Sequence, residues 1–187
     1  MSAVPSASTG TQAQGALYDY EVIVVGAGVS GIYQIKRLLE CGINATVLDG
    51  NSDVGGTWYN NRYPGARFDS ESYTYGYSFS KELLDEWHWS ERFSPQPETL
   101  RYLNYVVDKF DLREHMQFNC KVEAMIFDEE TDTWRLTLSD GRTLSCRFVI
   151  TALGPLSTPT LPNFEGMDDF QGISFHPHHW PHDLTAL

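Results

Sequence analysis

A strand that runs straight into a glycine turn constrains this chain more than any other feature of its sequence. Glu21-Val22-Ile23-Val24-Val25 is a short apolar run, and Gly26-Ala27-Gly28-Val29-Ser30-Gly31 follows it with G-x-G-x-x-G spacing. An amphipathic pattern comes next. Gly28, Ile32, Ile35 and Leu39 share one helical face, Lys36, Arg37 and Glu40 face elsewhere, and Gly42 is a natural stop. Strand, turn and helix in this order need a sharp bend at Gly26, bare backbone at Gly28 and close helix–strand packing at Gly31. The helix N-terminus then offers unpaired N–H groups and a positive dipole end to a phosphate.

The run Ala45-Thr46-Val47-Leu48-Asp49 reads as a second strand, parallel to the first across a βαβ crossover. It ends in a carboxylate 23 residues after Gly26 (49 − 26). An acid there accepts hydrogen bonds from an adenosine ribose and repels a 2′-phosphate, so the site suits FAD or NAD rather than NADP. The plainer alternative is a glycine turn beside a solvated aspartate at a strand end.

Residues 50–79 show no clean period, yet their many aromatic side chains argue against disorder; a loop of this length inside a domain is usually functional. Lys81 to Trp87 fits a short helix. Pro97 to Phe110 fits a longer one, with Leu100, Leu103, Val107 and Phe110 on one face and Glu98, Arg101, Asn104 and Asp108 off it. Met116 to Val122 reads as a strand. Trp134, Leu136 and Leu138 alternate with polar residues, Asp140-Gly141 reads as a two-residue hairpin turn, and Leu144, Cys146 and Phe148 alternate on the return before Val149-Ile150 rejoins the parallel sheet. The expected fold class is therefore α/β, a Rossmann-like parallel sheet with a small antiparallel meander.

The ends differ from this body. Residues 1–17 are Ser, Ala, Thr, Gln and Gly-rich, without the basic and apolar regions of a secretory signal, and read as a disordered tail. Residues 18–154 carry the domain. Residues 155–187 are Pro- and Gly-punctuated and read as a surface linker. The formal net charge of −12 speaks against nucleic acid or an anionic membrane surface as the main partner. No apolar run approaches transmembrane length. Three cysteines without C-x-x-C spacing suggest free thiols in a reducing, cytoplasmic setting.

Two stretches carry candidate chemistry. In residues 53–69, Gly55-Gly56 allow close backbone approach, Trp58 and Tyr59 are able to wall a flat ring system, and Arg62, Arg67 and Asp69 supply charge. An ordered loop packed by its own aromatics remains an equal alternative. In residues 170–182, His176, His178, His179 and His182 stand among prolines, with no carboxylate or thiol to complete a metal set; solvated linker histidines are the better reading, and no metal is expected.

Together, Gly26-x-Gly28-x-x-Gly31, Gly55-Gly56-Thr57-Trp58-Tyr59-x-x-Arg62-Tyr63-Pro64-Gly65 and Phe170-x-Gly172-x-x-x-His176-x-x-x-Trp180-Pro181 resemble the Baeyer–Villiger monooxygenases, class B flavoprotein monooxygenases. The last string matches the family fingerprint F-x-G-x-x-x-H-x-x-x-W-(P/D) at every fixed position. Trp87-His88-Trp89-Ser90-Glu91-Arg92-Phe93 is similar to the phenylacetone and cyclohexanone monooxygenase branch. The resemblance runs from Tyr20 to His182.

It implies FAD on a first dinucleotide fold, NADPH on a second, and insertion of oxygen from O₂ next to a ketone carbonyl to give an ester or lactone. By matching residues it places Gly26, Gly28, Gly31 and Asp49 at the ADP part of FAD, and Thr57, Trp58, Tyr59 and Asn60 at the flavin or its ribityl chain. Tyr75 and Val122 match further FAD contacts, and Arg67 and Phe68 match NADP contacts. Asp69 resembles the active-site aspartate that pairs with a catalytic arginine and orients the nicotinamide. His176 and Trp180 resemble a linker coupling domain motion to turnover.

The chain also departs from the family. It has no second G-x-G-x-x-G after Gly31, and it lacks the later segment that supplies the catalytic arginine. The expectation is the N-terminal FAD portion of such an enzyme without its NADPH domain, and one reading of it is an enzyme with a reductase or second chain supplying the missing half. The alternatives are a non-catalytic flavin-binding module and an inactive remnant. Ketones of secondary metabolism are the implied substrates by family habit.

Overall fold

The computed structural model describes residues 18–181; the tail expected over 1–17 and His182 lie outside the described residues. The described residues form a six-stranded sheet in the order β3-β2-β1-β6-β5-β4. β1 (Tyr20–Val25), β2 (Ala45–Leu48), β3 (Met116–Gln117) and β6 (Thr143–Thr151) run parallel. β4 (Val122–Asp128) and β5 (Thr133–Leu138) add the antiparallel meander against β6. The two long helices are α1 (Val29–Glu40) and α5 (Gln96–Lys109). Between them lie the short α2 (Thr57–Asn60), α3 (Ser72–Tyr75) and α4 (Lys81–Glu86). This is the α/β architecture expected from the sequence.

Val22–Val25 of β1 is an unbroken apolar run and β2 is broken only by Thr46, because both faces of these strands are covered. On one face Val22, Val24, Ala45 and Val47 pack against Ile32 and Ile35 of α1 and Leu103, Val106 and Val107 of α5. On the other, Ile23, Val25 and Leu48 pack against Leu136, Leu138, Cys120 and Cys146. Ile32 and Ile35 are fully buried, and each such side chain contributes about 2 kcal/mol of transfer free energy. Gly42 ends α1 as expected: it sits at φ +71°, and its N–H reaches Leu39 O at 2.9 Å.

Several expectations are corrected. Lys36, placed off the apolar face of α1, is nonetheless buried. Only 7% of it is exposed, because its apolar stem is buried while its ammonium lies 4.4 Å from the Phe79 ring centre and 4.9 Å from that of Phe110, and pairs with Glu40. Glu98 is likewise buried on α5: its carboxylate accepts the Ser90 N–H at 2.9 Å and the Ser90 hydroxyl at 2.6 Å. The strand expected from Met116 to Val122 is broken in two. Asn119 adopts φ +55° and carries the chain from β3 across to β4.

The hairpin after β5 has a three-residue loop rather than a two-residue one. Leu138 N–H bonds Arg142 O, Gly141 N–H bonds Leu138 O, and of the two expected turn residues only Gly141 has positive φ, at +87°; this is the turn followed by a left-handed glycine that three-residue hairpins use. Phe148 is 55% exposed. It pairs with Val22 of β1, and β5 reaches only as far as Cys146, so no strand flanks its other side among the described residues. The stretch 50–79, read as a loop, carries α2 and α3. From Gly154 to Pro181 the chain forms only two short 3-10 turns, Met167–Asp169 and Pro177–His179, and is mostly exposed.

Candidate functional site

β1 has β2 on one side and β6 on the other, so the chain reverses its direction of travel across the sheet at β1. Crevices at the carboxyl ends of strands flanking such a point are where open α/β sheets take ligands. Three segments meet there. Gly26 N–H donates to Leu48 O at 2.8 Å, and Ala152 N–H donates to Val25 O at 2.8 Å. Gly26 sits at φ +111°, and a Cβ on it would lie 2.5 Å from Ala152 O; a Cβ on Gly31 would lie 1.8 Å from Gly26 O. The turn therefore tolerates no side chain at either position, which gives the expected bend and close packing a geometric cause.

The second glycine pair closes on the first. Gly55 N–H bonds Ala27 O at 3.0 Å, and a Cβ on Gly56, at φ +52°, would lie 2.9 Å from Gly28 Cα. Two bare backbones thus face each other at the start of α1. Gly28 caps α1 without a side-chain hydrogen bond, and no acid stands in the first helical turn. The first-turn N–H groups of α1 are left for a ligand, and nothing nearby on the helix repels an anion.

Asp49 lies immediately after β2 and is 8% exposed. One carboxylate oxygen accepts the Ala27 N–H at 2.6 Å and the other accepts the Asn51 N–H at 2.8 Å. It holds the glycine turn and the following loop together, and each oxygen keeps a second lone pair. Asp49 O also accepts the Cys120 N–H at 2.8 Å. That bond brings the crossing segment up to the site, and Val122 follows as the first residue of β4, half-buried against the second core cluster.

Thr57, Trp58, Tyr59 and Asn60 are the four residues of α2, which starts at Gly56. Trp58 is buried, and its Nε1–H donates to the Tyr75 hydroxyl at 2.6 Å. Burial pushes the Tyr75 phenol up, against the pull of the Trp58 hydrogen bond, so Tyr75 is a neutral acceptor. Tyr59 shares a hydrogen bond with Ser52 at 2.6 Å and lies 5.1 Å below the Arg62 guanidinium. Phe68 is buried and stacked on Tyr75 at 4.3 Å and 6°, with Trp58 edge-on at 5.8 Å. Arg67 is exposed and held by Glu91 at 3.0 Å and by Phe93 O at 3.1 Å. Asp69 is exposed directly after Phe68.

The structure thus brings Gly26, Gly28, Gly31, Asp49 and the start of α2 together at the carboxyl ends of β1 and β2. Phe68 and Tyr75 form the packed layer behind Trp58, and Arg67 and Asp69 lie on the exposed stretch beside it. Sequence reasoning missed Ala27 and Ala152, which act through backbone atoms that carry no side-chain signal. It also missed Gln96, whose buried amide donates to Trp58 O; a glutamine at a helix start has no pattern that points to a partner 38 residues away.

In the linker, His176 Nδ1 accepts the His178 N–H at 3.1 Å, and Phe175 meets Trp180 edge-on at 4.9 Å. Burial, then His179 and His176, push the His178 imidazole below its ordinary value. Among the described residues no group of three or more His, Cys, Asp or Glu is arranged to hold a metal ion, and no helix is long and apolar enough to cross a membrane.

Residues 23–185 match the pyridine nucleotide-disulphide oxidoreductase family. The chain is 47% identical over 166 residues to a 2-oxo-Δ3-4,5,5-trimethylcyclopentenylacetyl-CoA monooxygenase of Pseudomonas putida, covering 89% of the chain and 30% of that protein. It is 44% identical over 164 residues to a Baeyer–Villiger monooxygenase of Pseudooceanicola batsensis, covering 87% and 30%. The solved complex of OTEMO with FAD and NADP superposes with a TM-score of 0.82 at 45% identity, over 91% of this chain and 32% of that one. The chain spans about 30% of the length of the curated relatives it matches.

Proposed function

The chain belongs to the pyridine nucleotide-disulphide oxidoreductase family, and from that premise we propose that it is the FAD-binding portion of a Baeyer–Villiger-type monooxygenase. The reaction would use NADPH and O₂ to insert oxygen next to a ketone carbonyl, giving an ester or lactone. One observation carries the reading. The Gly26–Gly31 and Gly55–Gly56 turns close on each other around an uncapped helix N-terminus at the sheet's reversal point.

The residues present fit FAD. Pyrophosphate needs backbone donors with no side chain in the way, and Gly26, Gly28 and Gly31 provide that cradle at the start of α1. Asp49 keeps acceptor capacity for a ribose hydroxyl and disfavours a 2′-phosphate. Thr57, Trp58, Tyr59 and Asn60 present one helical turn to the flavin end, with Trp58 fixed in place by Tyr75 and Phe68. Val122 follows the segment tied to Asp49. Bound FAD would supply the redox chemistry, taking hydride from NADPH and passing electrons to O₂.

Asp69 is the carboxylate we assign to orienting the nicotinamide side, with Arg67 and Phe68 beside it. Asp69 and Arg67 are exposed, Arg67 with Glu91 and Phe93 O as its present partners, whereas the Phe68 ring is engaged in packing. The NADPH-binding half would come from residues outside the described part or from a second chain. A non-catalytic flavin-binding module is the second reading, and turnover separates it from the first.

The test is reconstitution. The chain is purified, titrated with FAD and scored for bound flavin by visible absorbance, then followed for NADPH consumption with a ketone. Stoichiometric FAD is expected for the wild type, and loss of it for Gly28→Val. A folded chain that takes up no FAD sinks the proposal, and FAD uptake without turnover, even in the presence of cell lysate, favours the binding module.

A further inference from the structure

β4 is the last strand at one edge of the sheet, and no strand flanks its outer side among the described residues. All six residues from Glu123 to Asp128 are exposed. Met125 is 36%, Ile126 54% and Phe127 43% exposed. The register with β5 explains how these side chains are placed. Met125 and Phe127 sit opposite Leu136 and Trp134 and extend that apolar face outward, while Ile126 stands on the other face, opposite Arg135. Large apolar groups therefore reach solvent on both faces of one edge strand.

Free edges are ordinarily protected by Lys, Pro, a bulge or a covering element. Here the only irregularity of β4 falls between Val122 and Ala124, and Ala124-Met125-Ile126-Phe127-Asp128 contains neither Lys nor Pro. Acids bracket the stretch instead: Glu123 before it, and Asp128, Glu129 and Glu130 at its end. Antiparallel pairing of β4 with a second copy would bring these carboxylates toward each other across the seam, in a chain of net charge −12.

We propose that the outer edge of β4 docks an extended strand from a different protein, apolar at its centre and carrying Lys or Arg at both ends. Main-chain hydrogen bonds to the free edge supply the attraction. Met125, Ile126 and Phe127 select alternating apolar side chains, and the acidic ends set register and exclude acidic partners. The inference is independent of the flavin site, which lies at the carboxyl ends of β1 and β2.

The probe is a short synthetic peptide alternating Val or Ile with Thr and ending in Lys, compared with the same peptide ending in Glu. Each is labelled and titrated into the full chain by fluorescence anisotropy. The Lys-ended peptide should bind saturably, about fivefold more tightly than the Glu-ended one at low salt, with the gap closing as salt rises. Ile126→Lys should weaken binding about tenfold. The double change Asp128→Lys with Glu130→Lys should reverse the preference for peptide ends; both positions are exposed, so this variant carries the test if Ile126→Lys loses its far-UV circular dichroism. Absence of saturable binding by the Lys-ended peptide overturns the proposal. So does indifference to Ile126→Lys in a folded variant, or self-association of the wild type that Ile126→Lys abolishes.

Discussion

The Asp49 carboxylate accepts the backbone N–H of Ala27 at 2.6 Å, tying the end of β2 to the glycine turn after β1. The same side chain holds Asn51 with its other oxygen. Asp49→Asn presents an amide NH₂ to one of these two donors and leaves it unpaired in a buried place. The expected loss is about 2 kcal/mol of stability, read as a lower urea midpoint, together with weaker FAD uptake in the same variant. An unchanged midpoint would show that the two backbone contacts are incidental.

Gly31→Ala separates steric need from backbone preference. Its Cβ would lie 1.8 Å from Gly26 O, so the first turn of α1 must move away from the strand. Gly42→Ala has positive φ, +71°, but nothing within 4 Å. The first change should cost about 3 kcal/mol or more and the second about 1 kcal/mol. Chemical denaturation of both variants checks the order, and equal losses would contradict it.

What the sequence disclosed follows from which forces leave a local pattern. The βαβ unit was readable because Val22–Val25 and Ala45–Leu48 are covered on both faces and so appear as short, predominantly apolar runs. Asp49 was readable because strand, turn and acid lie in one short stretch. The approach of Gly56 to Gly28 was not, since the two glycines meet through the fold and neither has a side chain to mark the contact. The burial of Lys36 and Glu98, both off the apolar face of their helices, leaves no mark in the sequence. Phe79 and Phe110 in one case and Ser90 in the other supply partners that no helical period contains. The break at Asn119 needed a single left-handed residue, for which the sequence gives only a weak hint.

Glu98 gives the protein an acid-dependent increment. Burial pushes its carboxyl up, but the Ser90 hydroxyl and N–H, with Ser94 and the Arg101 charge, together outweigh burial, and the group ends below its ordinary value of 4.5. A carboxyl depressed in the folded state adds stability above its unfolded value and loses it as pH falls through the folded one. Ser90→Ala should therefore cost about 2 kcal/mol near neutral pH, and the gap to wild type should narrow as pH drops below about 4.5. Urea unfolding of both proteins across that range tests it; a gap that does not change with pH would assign the loss to packing alone.

Tyr75 holds the Trp58 indole by a hydrogen bond and carries the Phe68 stack. Tyr75→Phe removes the acceptor and keeps a ring that can stack, so it isolates the stranded N–H at about 1 kcal/mol. Tyr75→Leu removes both and should cost about 1 kcal/mol more. Thermal melts followed by tryptophan fluorescence give the two values, and equal melts for both variants would mean that the stack contributes nothing.

The three cysteines differ enough in surroundings to be told apart by reaction rate. Cys41 is exposed at the end of α1, whereas Cys120 and Cys146 are buried. Burial pushes the Cys146 thiol up to about 11, which leaves almost no thiolate at neutral pH. Arg142 Nη2 donates to Cys120 Sγ at 2.9 Å, but Cys120 is only 4% exposed and has no path to a bulky reagent. An aromatic disulfide reagent should label one thiol quickly in the native chain and all three in urea, and Cys41→Ser should abolish the fast phase. Rapid labelling that survives Cys41→Ser would show that the second face of the sheet opens around Cys120 and Cys146, and that this layer of the core is weaker than its burial implies.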